Sequence, residues 1–98
     1  MRLFFILLLT TSLFAGDYAK GWAAVRIGDY KQAIELWKPL AEKGNADAQS
    51  NIALIYCSGD GQILQDFKEC TYWAKKARAQ GKNVIRLWAD FELWKYDN

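Results

Sequence analysis

Residues 46–81, ADAQSNIALIYCSGDGQILQDFKECTYWAKKARAQG, carry two apolar patterns of helical period on either side of a glycine-rich turn. The patterns predict helices over 46–57 and 67–80, because apolar residues recur every three or four positions. The aligned positions are Ala48, Ile52, Ile55 and Tyr56 in the first helix, and Phe67, Cys70, Trp73, Ala74 and Ala77 in the second. Asp66 and Glu69 have the spacing of a capping box. The stretch therefore predicts two helices joined by a turn.

Three further helices are predicted outside this pair, because glycines divide the rest of the chain into segments of helical period. They cover 17–27, 30–43 and a last segment that begins near Asn83, a residue suited to cap it. The apolar positions are Tyr30, Ala33, Ile34, Trp37, Leu40 and Ala41 in the middle segment, and Val84, Leu87, Trp88, Phe91 and Trp94 in the last. Pro39 lies inside the middle helix and removes one of its hydrogen bonds. We expect an all-α chain with about five helices after residue 15.

The predicted helices over 30–43 and 67–80 share one sequence pattern, displaced by 37 residues. The shift places Tyr30 on Phe67 and Gly44 on Gly81, with apolar positions in register between them. A period in the thirties built from helix pairs is typical of an α-solenoid, in which each unit packs on its neighbours.

The first fifteen residues are typical of a secretory signal peptide. Arg2 supplies the positive start, residues 3–9 (LFFILLL) supply the apolar run, and Ala15 is the small residue before cleavage. A membrane-spanning helix needs about 20 apolar residues, and this run is shorter. We expect cleavage after Ala15 and a periplasmic or secreted protein with no stable membrane anchor. An uncleaved N-terminal anchor and a buried core segment are the alternatives.

The two cysteines, Cys57 and Cys70, lie beyond the predicted signal peptide. An exported chain meets an oxidising compartment, where such a pair is expected to form a disulfide. Closing a loop of about 14 residues stabilises by roughly 3 kcal/mol in the chain-entropy model. A reactive thiol or a thiol linked to a partner remains the alternative.

Composition excludes several classes of function. With 98 residues the chain is one small domain, and its formal charge of +2 is too balanced for binding nucleic acid by charge. The chain has no histidine, which excludes Ser-His-Asp and Cys-His catalysis and ordinary zinc catalysis. Ser50 and Ser58 lack a lysine three positions on, as an S-x-x-K nucleophile would need. Asp60 and Asp66 are interpreted as turn and cap residues, and no cofactor or metal is expected.

Residues 46–81 closely resemble a Sel-one-like repeat of the tetratricopeptide-like superfamily. The first helix and loop of the motif match from Ala46 to Gly61, and its second helix matches from Asp66 to Gly81. Residues 17–44 resemble a looser tetratricopeptide-type unit. The loop before Asp66 is one residue longer than usual in the family, and cysteines stand at 57 and 70, where a variable residue and an alanine are usual.

The resemblance implies a short right-handed α-solenoid of antiparallel helix pairs. Its units would be a first helix pair over 16–45, a complete repeat over 46–82 and a closing helix over 83–98. Such repeats bind peptides or protein segments in a concave groove and usually lack catalysis, so we expect a protein or peptide partner in the cell envelope. A related group of cysteine-rich repeat proteins suggests a β-lactamase or penicillin-binding alternative. A structural or inhibitor-like protein that docks on a partner or a second copy is a third possibility; the sequence leaves the oligomeric state open.

Five residues are predicted to line the groove. The resemblance places Trp22, after Gly21, at a groove position, with Leu54 in the same relation after Ala53. The predicted set is Tyr18, Trp22, Ser50, Asn51 and Leu54. Rigid aromatic rings supply contact area and side-chain amides pair with an extended backbone. Packing against the fifth helix or a solvated face is the alternative for these residues, whereas Trp37, Trp73 and Trp88 are expected in the core.

Overall fold

The computed structural model describes residues 16–98, and the predicted signal peptide over 1–15 lies outside them. The described residues form α-helices and one 3-10 turn, with no strand among them, so the all-α prediction is confirmed. Helix α1 covers residues 16–26, and it is followed by α2 (Tyr30–Glu42), α3 (Ala46–Ser58), α4 (Phe67–Ala79), α5 (Ile85–Asp90) and the 3-10 turn Leu93–Tyr96. No helix within residues 16–98 is both long and apolar enough to cross a membrane.

Side-chain caps set where the three long helices begin. The side chains of Asp29, Asn45 and Asp66 accept hydrogen bonds from the first-turn N–H groups of α2, α3 and α4. These N–H groups have no partner inside a helix, so each cap satisfies a donor that would otherwise be unpaired. The capping box expected at Asp66 forms only in part. The Asp66 N–H donates to the Tyr56 carbonyl at 2.8 Å, and so it is already paired without Glu69.

Helices α2 and α4 also end in the same way. After α2, Gly44 N–H donates to the Ala41 carbonyl and Asn45 N–H to the Leu40 carbonyl. After α4, Gly81 and Lys82 make the equivalent bonds to Arg78 and Ala77, and all four positions are displaced by 37 residues. This is the Schellman arrangement. It needs one residue with a left-handed backbone conformation, which glycine adopts without strain. The 37-residue pattern in the sequence thus corresponds to two 13-residue helices with matching caps.

The long helices pack antiparallel to their neighbours in sequence. Cys57, near the end of α3, is bonded to Cys70, near the start of α4, with their Cα atoms 5.3 Å apart. At the other end, the Lys82 ammonium lies 2.6 Å from the carboxylate of Asp47 in the first turn of α3. Helices α3 and α4 form the most extensive pairing, followed by α2 with α3.

The core lies between α2, α3 and α4 and follows the predicted apolar faces. Its buried members on these helices include Ala33, Ile34, Trp37, Leu40, Ala41, Ala48, Ile52, Ile55, Cys70, Trp73, Ala74 and Ala77. Pro39 is exposed and inside α2, as predicted. Trp88 packs against this core but is only half-buried, and the Arg78 guanidinium lies 4.4 Å from its ring centroid.

The C-terminal segment differs from the continuous closing helix predicted over 83–98. Asn83 does accept a bond from the Ile85 N–H, but α5 ends at Asp90 after six residues. Glu92 adopts a left-handed backbone with φ of 51°, and a 3-10 turn follows. Val84 is buried as predicted, and Leu87, Trp88 and Phe91 pack partly buried against the core. Past Glu92 the pattern fails, because Leu93 is completely buried and the predicted Trp94 is exposed. The interruption lets the chain fold back so that Tyr96 stacks on Phe67 with ring centroids 5.1 Å apart.

Candidate functional site

A cavity of about 270 Å³ lies between α1 and α3, with α2 beneath it and the loop after α3 at one end. Its lining is largely apolar and aromatic, with a few polar groups, as is usual for ligand sites. The lining residues are Trp22, Val25, Tyr30, Trp37, Asn51, Leu54, Ile55, Ser58, Gly59 and Asp60.

Two indole rings form a corner of this cavity. Trp37 is almost fully buried, whereas Trp22 is 40% exposed. Their ring centroids lie 5.1 Å apart with the planes at 71°, an edge-to-face arrangement that aromatic pairs favour. The corner therefore combines a fixed ring in the core with a second ring that is accessible to a ligand.

A close approach of α1 to Trp37 holds this corner together. Trp37 Nε1 donates to the Tyr18 carbonyl at 3.1 Å, which satisfies the buried indole N–H. The ring lies against Gly21, where a Cβ atom would collide with Nε1 and Cε2 of the indole. Only glycine leaves room for the indole at this position of α1. Gly21 thereby sets where Trp22, the next residue, meets the cavity.

Asn51 is the amide side chain in the cavity lining. Its Nδ2 group donates to the Tyr18 hydroxyl at 3.3 Å, which connects α3 to α1 across the floor of the site. Within residues 16–98 no hydrogen bond reaches its Oδ1 atom. The amide oxygen is thus available to accept a backbone N–H from a ligand.

Several hydrogen bonds fix the conformation of the loop after α3. Asp60 Oδ1 accepts from the N–H groups of Gln62 and Ile63 at 2.8 and 2.7 Å. Gly59 has φ of 66°, and a Cβ atom there would lie 2.9 Å from the backbone nitrogen of Gln65. Gln65 Nε2 in turn donates to the Cys57 carbonyl at 2.8 Å. The predicted turn role of Asp60 is thus observed, and the same residue also lines the cavity.

The structure brings three of the five predicted groove residues to the cavity: Trp22, Asn51 and Leu54. Tyr18 is not part of the lining. Its hydroxyl accepts the hydrogen bond from Asn51, and its ring centroid lies 6.0 Å from that of Trp37. Ser50 is not part of the lining, and its hydroxyl donates to the Asp47 carbonyl at 3.0 Å inside α3.

Other lining residues were not predicted. Tyr30 was placed on the core face of α2, and Asp60 was interpreted as a turn residue alone. Val25 and Ser58 follow Trp22 and Leu54 by three and four positions, a spacing that places them on the same helix faces. That spacing is the signal in the sequence that could have identified them.

The described residues offer little for catalysis or metal binding. Cys57 and Cys70 are fully buried and bonded to each other, so the alternative of a reactive or partner-linked thiol does not hold here. No cluster of three or more metal-ligating side chains occurs between residues 16 and 98. The Ser50 hydroxyl has a carbonyl partner rather than a base. The arrangement between α1 and α3 is one that can bind a ligand by contact area and a few polar groups.

Comparison with protein-family models, with curated proteins and with solved structures finds no match to this chain. What the cavity binds therefore has to be inferred from its shape and chemistry.

Proposed function

We propose that this chain is an exported binding module that acts in the periplasm or cell envelope without catalysis. In this proposal its helices form a short right-handed solenoid of the Sel-one-like type. The groove between α1 and α3 receives an extended segment of a partner protein.

The observation that carries the proposal is the cavity with its aromatic walls and the Asn51 amide in its lining. Trp22 and Leu54 are 40% and 51% exposed at its mouth, which makes them apolar surface that a ligand can cover. Asn51 lines the same cavity, and its Oδ1 accepts no hydrogen bond from the described residues. An extended peptide offers a backbone N–H to such an oxygen and side chains to the apolar walls.

The helix arrangement supports the repeat architecture in this proposal. Tyr18 of α1 contacts Asn51 of α3. About one turn towards the C-terminus of each helix, Trp22 of α1 and Leu54 of α3 line the same cavity. Helices α1 and α3 therefore run in the same direction, with α2 antiparallel to α3. Alternation of this kind places the first helix of each pair on one face, which is the face a helical-repeat groove uses.

The test is selection of random decapeptides on the folded protein comprising residues 16–98. We expect peptides to be retained, and their binding to fall at least tenfold in a Leu54→Arg variant, because the longer charged side chain blocks the mouth. Lys38→Arg on the exposed side of α2 is the matched control, and it should bind as the parent does. Failure of the parent protein to retain any peptide would contradict the proposal, as would equal binding by the Leu54→Arg variant.

Photo-crosslinking in the cell complements this selection. A photoreactive residue at Leu54 should capture a partner that the same probe at Lys38 does not. Equal products from both positions would indicate nonspecific contact and would count against the groove.

A further inference from the structure

We propose that the aromatic cavity receives a cationic side chain, lysine or arginine, from the bound segment. This inference rests on the proposed function, and it adds the chemical class of the group that enters the cavity. It follows from three features that coincide at one place: aromatic rings, a carboxylate and the negative end of a helix.

The rings form a receptor suited to a cation. Trp22 and Trp37 meet at 71° with centroids 5.1 Å apart, and Tyr30 lines the same cavity. The face of an aromatic ring carries partial negative charge, and tryptophan attracts cations more strongly than the other rings do. Because Trp37 is almost fully buried, the rings that an ammonium or guanidinium group can reach are the exposed Trp22 and the half-buried Tyr30, while Trp37 fixes the position of Trp22.

The charge at the end of the cavity has the complementary sign. Asp60 uses Oδ1 for the loop N–H groups of Gln62 and Ile63, while Oδ2 accepts no hydrogen bond from residues 16–98. Ser58 is the last residue of the 13-residue helix α3, so the cavity also faces the negative end of that helix dipole. The ten residues that line the cavity include no lysine or arginine. An acidic ligand group would meet repulsion here, whereas a basic group would be attracted.

The shape of the cavity fits a long basic side chain. A volume of about 270 Å³ admits one such side chain. Val25 and Leu54 supply apolar surface for the methylene groups that precede the charge, which is how lysine and arginine usually lie along a protein surface.

The experiment compares matched peptides on the folded protein of residues 16–98. From the peptides retained in the selection, versions are made in which arginine is replaced by citrulline, or lysine by norleucine. These replacements keep the length of the side chain and remove its charge. We expect basic residues to be enriched at one position, and the neutral versions to bind about 3- to 10-fold more weakly, with less dependence on salt.

Two variants of the protein assign the effect to the cavity. In Asp60→Asn the amide oxygen still accepts the two loop N–H bonds, so the loop is retained while the charge is lost. Trp22→Leu removes one ring and keeps apolar volume. In both variants the difference in binding affinity between the charged and the neutral peptides should become smaller. Glu35→Gln, the same kind of change on the exposed side of α2, should leave that difference as it is in the parent.

The outcomes separate this inference from the proposed function. Retained peptides without basic enrichment, bound equally well with arginine or citrulline, would overturn the inference and leave peptide binding standing. A preference for the charged peptide that survives both Asp60→Asn and Trp22→Leu would also overturn it. If no peptide is retained by the parent protein, the proposed function itself fails.

Discussion

At Gly21 the backbone of α1 lies directly against the indole ring of Trp37, and the same indole donates its N–H to the Tyr18 carbonyl one turn earlier. Both contacts depend on the absence of a side chain at position 21. A single glycine therefore controls the distance between α1 and the core, and with it the position of Trp22 in the cavity.

Gly21→Ala should lower the free energy of unfolding by about 1–3 kcal/mol, because a methyl group inserted into a packed contact forces the indole or the helix to move. Thermal unfolding followed by circular dichroism measures this loss. Gly16→Ala is the matched control, since a Cβ atom there has no neighbour within 4 Å. Equal melting temperatures for the two variants would show that α1 does not pack as described.

A second prediction at this scale concerns the cap of α4. Asp66→Ala should lower the free energy of unfolding by about 0.5–2 kcal/mol, because the N–H groups of Lys68 and Glu69 lose the carboxylate oxygen that accepts both of their hydrogen bonds. Asp66→Asn keeps an acceptor oxygen and should remain close to the parent protein. Chemical denaturation of the three proteins measures the difference, and identical midpoints for Asp66→Ala and the parent would exclude the cap.

Helices α3 and α4 are held together at both ends by different means. One end has the disulfide between two fully buried cysteines, and the other has the exposed ion pair of Lys82 with Asp47. A covalent bond persists over a wide range of conditions, whereas an exposed ion pair is weakened by salt and by loss of charge. The two ends of this helix pair should therefore respond differently to mutation and pH.

Cys57→Ser should lower the melting temperature by more than about 10 °C, because opening a loop of about 14 residues restores roughly 3 kcal/mol of chain entropy to the unfolded state. The helical circular dichroism spectrum should remain recognisable, since the helix caps and most of the core are unchanged. A double Cys57→Ala, Cys70→Ala variant should show a similar loss. An unchanged melting temperature between oxidised protein and protein reduced in denaturant would contradict a stabilising disulfide.

The ion pair predicts a dependence on alkaline pH. The hydrogen bond that the Lys82 ammonium donates to Asp47, and then the negative charge of Asp47, raise the pKa of Lys82 above its ordinary value of 10.5. A group whose pKa is raised on folding contributes stability below that ordinary value, and the contribution is lost as the pH rises through the folded-state pKa. Lys82→Met should therefore melt slightly below the parent protein at pH 8, and the two should converge above the raised pKa.

Lys38→Met on the exposed side of α2 provides the control for this titration. Its melting temperature should differ little from that of the parent at either pH. A gap between Lys82→Met and the parent that stays constant from pH 8 into the alkaline range would mean that the ion pair does not contribute.

At the scale of the whole molecule, the C-terminal segment packs against α4. Leu93 is fully buried, and Phe67 at the start of α4 packs against both Tyr96 and Phe91. Apolar surface at the start of α4 would meet water if no other segment covered it. The short helix α5 and the 3-10 turn serve this purpose because the chain reverses at Glu92.

Leu93→Ala should lower the free energy of unfolding by about 2–5 kcal/mol, since it leaves a cavity at a fully buried position. Trp94→Ala removes a larger side chain that is 55% exposed, and it should cost less than about 1 kcal/mol. Denaturant unfolding of both variants measures the contrast. If Trp94→Ala were the more damaging change, the segment would pack as the continuous helix that the apolar pattern predicted.

Most of the fold could be predicted from local signals. The apolar period of α2, α3 and α4, the glycines that end α2 and α4, and the acidic cap at Asp66 act within a few residues along the chain. The cysteines were paired correctly because two of them admit one internal bond. At the site, it is the resemblance to helical repeats, and not the apolar period, that selects Trp22, Asn51 and Leu54, and these three residues line the cavity.

The sequence by itself determined the all-α class and the approximate boundaries of the long helices, because these depend on neighbours within one or two helical turns. Only the tertiary structure decided that Gly21 receives the Trp37 indole, that Asp60 joins the cavity and that the chain reverses at Glu92 to bury Leu93. Each of these depends on contact between segments far apart in sequence. The apolar period carries no information about such contacts, since it specifies which face is buried and not which neighbour covers it.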